Sequence, residues 1–343
     1  MLVPPTAPGD YRAALEGAAY LDEGAAGRIF MRGLDRAALL QRLSTNDIER
    51  LRPGEGARTV LTTPIGRIID LLTVHVLDEA LLLVTSPEQG PPVYGHLRRN
   101  IFFNDQVTLE AAGRSHGQLA LYGPAAAELL ARLGAAGEEG EGRLRDLALH
   151  HTLAVRVAGA AVLLAARPPI GGQGFTLYVP AEALETVRGV LEGAGAVPLG
   201  AASLDVLRVE RGYGAFGREL SQEYIPLETG LLDAVSFTKG CYVGQEIIAR
   251  MESRGRLAKR LMGLRLSAEY RGLSAESRSR GTSALAKLLV GGKDAGDLTS
   301  AVVSPRLGPI GLAYVRTAHA EPGTVVDVAG GEVTGTVVEL PFV

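Results

Sequence analysis

Apolar positions along the chain alternate between helical and extended spacing. Over residues 35–51, DRAALLQRLSTNDIERL, Ala38, Leu39, Leu43 and Ile48 recur at helical intervals, and Asp35 stands where an N-cap is expected. Residues 58–87, RTVLTTPIGRIIDLLTVHVLDEALLLVTSP, read as strand, glycine turn, strand, Asp-Glu turn, strand, with the β-branched content that pleated surfaces favour. PPVYGHLRRNIFFND predicts a helix handing over to the strand QVTLEAA. A second pass follows: the strand in GQLALYGP, a helix starting near Pro124, a hairpin around Gly159, then a strand and helix in GQGFTLYVPAEALETVRGVLEGAG. The first 200 residues thus hold two α+β passes of similar order, as an internal duplication would give. Beyond residue 255 the pattern is nearly all strand, punctuated by Gly and Pro, which predicts a small barrel or sandwich. Helical pattern there is confined to TSALAKLLV, and the polar YRGLSAESRSRGTS reads as an exposed loop.

Length changes the picture by requiring more than one core. At 343 residues and 36.0 kDa the chain exceeds the size at which single cores stop growing, so two or three domains are expected. The expected division is 1–255, two interleaved α+β modules with the second at about 114–202, and 256–343, a β-barrel. The 44 glycines call for many tight turns. A net charge of −3 gives no overall attraction for nucleic acid, and one cysteine permits no internal disulfide, which fits a reducing compartment. The N-terminus lacks a signal-peptide pattern and no apolar run is long enough to span a bilayer, so a cytoplasmic location is expected.

Generic catalytic motifs are missing: no Walker sequence, no G-x-G-x-x-G between strand and helix, no H-E-x-x-H, no C-x-x-C and no G-x-S-x-G. The six histidines lack metal-ligand spacing, and adjacent His150 and His151 would point to opposite faces of a strand, so no metal site is expected.

The chemistry concentrates in VSFTKGCYVGQEIIARMESRGRLAKR, which holds the lone cysteine, Cys241. Free cysteines are usually small buried hydrophobes. Here Lys239, Gln245, Glu246 and Arg250 crowd the site, and a core turn rarely gathers so many polar groups. A helix beginning in YVGQEIIARM would set Cys241 beside its N-terminus, where backbone N–H groups and the Lys239 ammonium would favour a thiolate. Arg250, Arg254, Arg256, Lys259, Arg260 and Arg265 are opposed only by Glu252. Such a run is a solvated face or a site for an anion such as a tail of carboxylates. No interleaved aromatics support stacking on RNA bases.

KGCYVGQE, followed by IIAR and AKR, resembles the signature of the YgfZ group of folate-binding proteins, relatives of the glycine cleavage T-protein (aminomethyltransferase). The likeness runs through most of the chain: RGLDRAALLQRLSTNDIERLRPGEGARTVLTTPIGRIID, LALYGPAAAELL, LDVLRVERGYGAFGRELSQEYIPLET and GDLTSAVVSPRLGPIGLAYVR resemble successive family segments in the same order. The resemblance implies an α+β fold of three domains in a cloverleaf, two α+β modules around a central tetrahydrofolate pocket with a small barrel closing it. It implies that Glu210 binds the pterin, that Lys259 and Arg260 meet the glutamate tail, and that Gly244, Gln245, Glu246 and Arg250 complete the folate site. In the aminomethyltransferases an aspartate pair after a glycine turn sets a carboxylate near N10 of folate. Here that stretch reads GRIIDLLTV, with Asp70 present and Leu71 in place of a second acid. Asp70 is therefore expected as a pocket residue without its partner.

Three functional readings follow, the first two from the resemblance and the third from the basic run. The first is a folate-dependent accessory protein that supports assembly or repair of iron–sulfur clusters in client enzymes, including tRNA-modifying radical enzymes, with Cys241 as functional thiol and Lys239 tuning it. One cysteine does not hold a cluster, which takes about four ligands. The second is a folate-dependent aminomethyltransferase or methyltransferase in which Asp70 manages protons. The third is a tRNA-binding module, although tRNA is not expected as a direct ligand. Folate and iron–sulfur client or assembly proteins are the expected partners, with the chain a monomer.

Overall fold

A computed structural model describes residues 3–4, 6–137, 140–255, 257–270, 284–328 and 332–343. The chain opens with α1 (Gly9–Glu16), β1 (Ala19–Asp22), β2 (Ala26–Arg32) and α2 (Arg36–Leu43). It continues through β3 (Gly56–Thr62), β4 (Ile68–Val76), β5 (Ala80–Pro87), α3 (Gly90–Arg99) and β6 (Thr108–Ala111). A second run comprises β7 (His116–Tyr122), α4 (Ala126–Arg132), α5 (Gly140–Arg145), β8 (Thr152–Val157), β9 (Ala160–Arg167), β10 (Gly174–Pro180), α6 (Leu184–Gly193) and β11 (Val197–Pro198). After α7 (Ala201–Glu210) and α8 (Gln245–Arg254) come β12 (Lys259–Leu266), β13 (Ala286–Val290), β14 (Lys293–Ser304), β15 (Gly308–Arg316), β16 (Val325–Val328) and β17 (Val333–Val338).

The strands assemble into a five-stranded sheet, β3-β4-β5-β2-β6, a six-stranded sheet, β11-β1-β7-β10-β9-β8, and a closed barrel, β12-β15-β14-β13-β16-β17. This is the expected α+β architecture of two modules and a C-terminal barrel. The modules interleave, because β1 leaves the first sheet's sequence neighbourhood to pair antiparallel with β7 and parallel with β11. Each sheet buries one face beneath its own helices: Ile29, Leu39, Leu72 and Val93 in the first module, Leu121, Leu130, Phe175 and Leu191 in the second. The other faces of the two sheets turn toward each other through Leu82, Val84, Ala165 and Tyr178. Val209 of α7 packs on Ile310 and Leu312, tying the modules to the barrel.

Two local expectations fail. The helix expected over residues 35–51 stops at Leu43, because Ser44, Thr45 and Asn46 bind backbone with their side chains: Ser44 Oγ donates to Leu40 O, Thr45 Oγ1 to Ala234 O, and Asn46 Nδ2 to Arg58 O. Asp35 does take the N-cap position, without a capping bond, because its carboxylate accepts from Gln106 N at 2.8 Å. The helical reading of TSALAKLLV is also wrong within its described residues: Ala286–Val290 is β13, held between β14 and β16. Barrel closure supplies partners on both edges and outweighs the helix preference of Leu, Ala and Lys. The serine-rich loop reading falls on residues 271–283, outside the described residues.

Candidate functional site

The facing sheets enclose a cleft of about 370 Å³. Strand periodicity decides what enters it. On β4, Leu71, Thr73 and His75 face the cleft, while Leu72 and Val74 lie in the core beneath the helices. From the opposite sheet come Gln118, Arg167, Thr176 and Tyr178, and the loop before β8 adds His150.

These polar groups form a connected set. Arg167 grips the Glu23 carboxylate with both terminal nitrogens, at 2.9 and 3.0 Å, and lies over the Tyr122 ring at 4.6 Å. Gln118 Nε2 donates to the same carboxylate at 2.8 Å. Burial alone would raise the Glu23 carboxyl, but the Arg167 charge and these hydrogen bonds more than offset it and hold it below the usual range. His75 Nδ1 lies 2.9 Å from His150 O, and a carbonyl only accepts, so Nδ1 carries the proton and Nε2 accepts from Tyr178 Oη at 2.9 Å. Burial pushes His75 down to about 4 and His150 down to about 3, so both imidazoles are neutral near pH 7. Three buried atoms of this set have no hydrogen-bond partner: Gln118 Oε1, His150 Nε2 and Arg167 Nε. The sequence points to none of these as site residues; His150 draws notice there only as a metal ligand, which its spacing sets aside. They stand alone in ordinary strands and connecting loops, and the φ of +67 at His150 is a backbone property that no residue type announces.

The expected site residues are dispersed. Asp70 is fully buried but is not a cleft residue; Leu71, its neighbour, takes that place. Asp70 opposes Leu61, a core residue, and its oxygens accept from Leu71 N at 2.9 Å and Ser86 N at 3.1 Å. Burial pushes its carboxyl up to about 6. Glu210 also lies off the cleft. Leu204 of α7 lines it, and six residues of helix turn the side chain by about 240°, to the far side. There Glu210, with no exposed surface, accepts from Tyr11 Oη at 2.6 Å, from Ser304 Oγ and from the Arg306 guanidinium, joining α1, α7 and the barrel.

The cysteine octapeptide is anchored by Lys239, Tyr242, Val243 and Gly244 and not by the cysteine. Lys239 Nζ donates to the carbonyls of Gln41, Ser44 and Asn46 at 2.7, 2.8 and 2.6 Å, closing the C-terminal end of α2, and burial lowers it to about 8. Its charge is thus engaged with the end of α2. Tyr242 is buried, and Val243 N donates to Arg42 O at 3.0 Å. Gly244, at φ +87, precedes α8 and presses on the β3–β4 turn, where an added Cβ would lie 2.7 Å from Thr63 O. Cys241 stands exposed at the surface, contrary to the usual burial of free cysteines. Gln245 and Glu246 open α8, and Glu246 pairs with Arg250 at 2.5 Å, so the basic run has an opposing acid besides Glu252.

Lys259 and Arg260 do not converge. Consecutive strand residues point oppositely: Lys259 Nζ lies 4.3 Å from the Tyr224 ring centroid, while Arg260 borders a separate surface pocket with Glu252 and Leu257. Neither lines the inter-sheet cleft. Arg256 and the Arg254 side chain fall outside the described residues. Among the described residues, no group of three or more His, Cys, Asp and Glu side chains is arranged to hold a metal, and no helix is long and apolar enough to cross a membrane.

Residues 5–239 match the GCVT N-terminal domain, and residues 259–343 match the glycine cleavage T-protein C-terminal barrel domain. The chain belongs to the glycine cleavage T-protein family. An aminomethyltransferase of Rubrobacter xylanophilus is 33% identical over 336 residues, which is 97% of this chain and 85% of that protein. A chloroplastic protein of Arabidopsis thaliana, assigned as a transferase without a named substrate, is 32% identical over 317 residues, 92% of this chain and 69% of its own. The crystal structure of the glycine cleavage system aminomethyltransferase T from Bartonella henselae superposes with a TM-score of 0.84 at 22% identity, covering 99% of this chain and 91% of that one. That agreement carries the T-protein fold across the whole chain, barrel included.

Proposed function

We propose that the inter-sheet cleft binds tetrahydrofolate and that the chain is a YgfZ-type accessory protein, supporting iron–sulfur cluster assembly or repair in client enzymes through Cys241. The fit of the cofactor rests on the cleft itself. Its volume lies within the range of small-molecule sites, ~300–1,000 Å³. The unpartnered Gln118 Oε1 and His150 Nε2 would accept from the amino and ring N–H groups of a 2-amino-4-oxo pterin, and Arg167 Nε would donate to its carbonyl. Tetrahydrofolate, when bound, supplies a one-carbon carrier. The residues here orient it, keep water from its ring and hold neutral imidazoles beside it.

The observation that carries the accessory reading over a glycine-cleavage activity is Leu71 in the cleft with Asp70 turned behind the sheet. The cleft offers no free carboxylate where the aminomethyltransferases are expected to place one. The second reading, an aminomethyltransferase, is favoured by the relatives that carry that name over nearly the full chain. In that case the carboxylates of Asp22 and Glu23, which line the cleft, are the nearest acids available.

Calorimetric titration of tetrahydrofolate into the wild type and Gln118→Leu under reducing conditions tests the ligand. Loss of one buried polar partner should weaken binding by about 1–3 kcal/mol. Undetectable binding to the wild type refutes the folate assignment. Restoration of a cluster-dependent tRNA-modifying enzyme in cells lacking the protein should require Cys241, failing in Cys241→Ser. Restoration by that variant, together with folate-dependent amine turnover, selects the transferase.

A further inference from the structure

The gap between the sheets does not end at Tyr178. Beyond it lies a second chamber of about 330 Å³, bounded by Phe30, Leu77, Leu82 and Leu163. Strand alternation makes it a continuation of the same gap. Leu82 and Val84 of β5, Leu163 and Ala165 of β9, and Tyr178 and Thr176 of β10 are successive same-face positions, the first of each pair in or bordering the new chamber and the second in the cleft. Tyr178, fixed by its bond to His75 Nε2, is the shared wall.

The chamber is apolar except for Arg28, Tyr178 and His116. Arg28 is only 4% exposed, and its Nε has no partner. Its terminal nitrogens reach only backbone oxygens, of Glu23 at 3.3 Å, Gly24 at 3.2 Å and Gly113 at 3.5 Å. No carboxylate among the described residues forms an ion pair with it, and Glu23 is already held by Arg167 and Gln118. A buried guanidinium held by neutral oxygens at long distances is stabilised by an incoming anion, which restores a charge-assisted partner in a low-dielectric space.

We propose that this chamber is a second binding site, taking a small hydrophobic carboxylic acid whose hydrocarbon body packs among Phe30, Leu77, Leu82 and Leu163 and whose carboxylate faces Arg28. The site is independent of what the cleft binds. Tyr178 is the wall the two chambers share.

Calorimetric titration of the full chain with 1-naphthoate and with its neutral isostere 1-naphthalenemethanol tests this. The acid should bind about tenfold more tightly than the alcohol, as a charge-assisted contact requires. Arg28→Leu should remove that preference, and Ala161→Trp, which fills the chamber from its rim, should abolish binding of both probes. Thermal melts identify variants that fail to fold, and Ala161→Trp keeps the test decisive if Arg28→Leu does. The proposal is overturned by any of three results: no naphthoate binding to the wild type, equal affinity for acid and alcohol, or undiminished naphthoate binding to folded Ala161→Trp.

Discussion

Asp70→Asn is expected to change how stability responds to pH. Burial raises the Asp70 carboxyl from 3.8 to about 6, the two backbone N–H donors from Leu71 and Ser86 offsetting only part of that cost. The native state therefore holds this proton more tightly than the unfolded chain does. The resulting stabilisation is fully present below pH 3.8 and is lost as the pH rises through about 6. At 1.36 kcal/mol per pKa unit the loss is about 3 kcal/mol. His75 and His150 act in the opposite sense: their folded values, about 4 and about 3, lie below the ordinary 6.5, so their contribution is present above 6.5 and lost as the pH falls. The two effects partly mask each other in the wild type alone. The difference between wild type and Asp70→Asn isolates the carboxyl, because the histidines are common to both. Urea unfolding of the two proteins at intervals from pH 4 to pH 7.5 should show the wild type losing ~3 kcal/mol relative to the variant, most of it between pH 4 and 6.5. A difference constant across that range, or one that grows in the wild type's favour, refutes the assignment of Asp70 to a dry position behind the sheet.

Glu210→Ala should unfold more readily by about 3 kcal/mol, because it strands the largely covered Arg306 guanidinium and leaves buried Tyr11 and Ser304 without their acceptor. A variant that instead keeps its stability and loses only ligand affinity returns Glu210 to the pterin. Gly244→Ala should cost at least ~1–2 kcal/mol for the left-handed backbone alone, plus the approach to Thr63 O, seen as a lowered melting temperature. In a thiol titration of native protein with Ellman's reagent, Cys241 should react completely and nearly as fast as in urea, and Cys241→Ser should shift stability by less than ~0.5 kcal/mol. A thiol protected until unfolding would contradict its exposure.

The sequence by itself determined the family and the order of most elements from β3 to α6, with a strand-rich barrel after residue 255. Alternating apolar residues set β4 and β10, a continuous apolar run set β5, and Gly-Pro punctuation with short apolar runs set the barrel, because local period and turn chemistry are carried by neighbouring residues. KGCYVGQE likewise marked its segment, although not which members anchor it and which one is displayed. Three-dimensional contact decided the rest. Whether Asp70 or Leu71 faces the cleft depends on a register shift between β3 and β4 near Leu61 and Thr62, which no residue type announces. Glu210 was readable as a special carboxylate, yet Tyr11 and Arg306 reach it from 199 and 96 positions away. Lys239 caps a helix about 195 residues earlier, and that helix end forms only because Ser44 and Asn46 stop it. Ala286–Val290 became a strand once a barrel had two edges to fill. The cleft itself, built from Glu23, Gln118, His150 and Arg167, has no signature in the chain. Its members are unremarkable in sequence and acquire their chemistry from burial between two sheets, where each hydrogen bond, each shifted proton and each atom left without a partner depends on residues far away along the backbone.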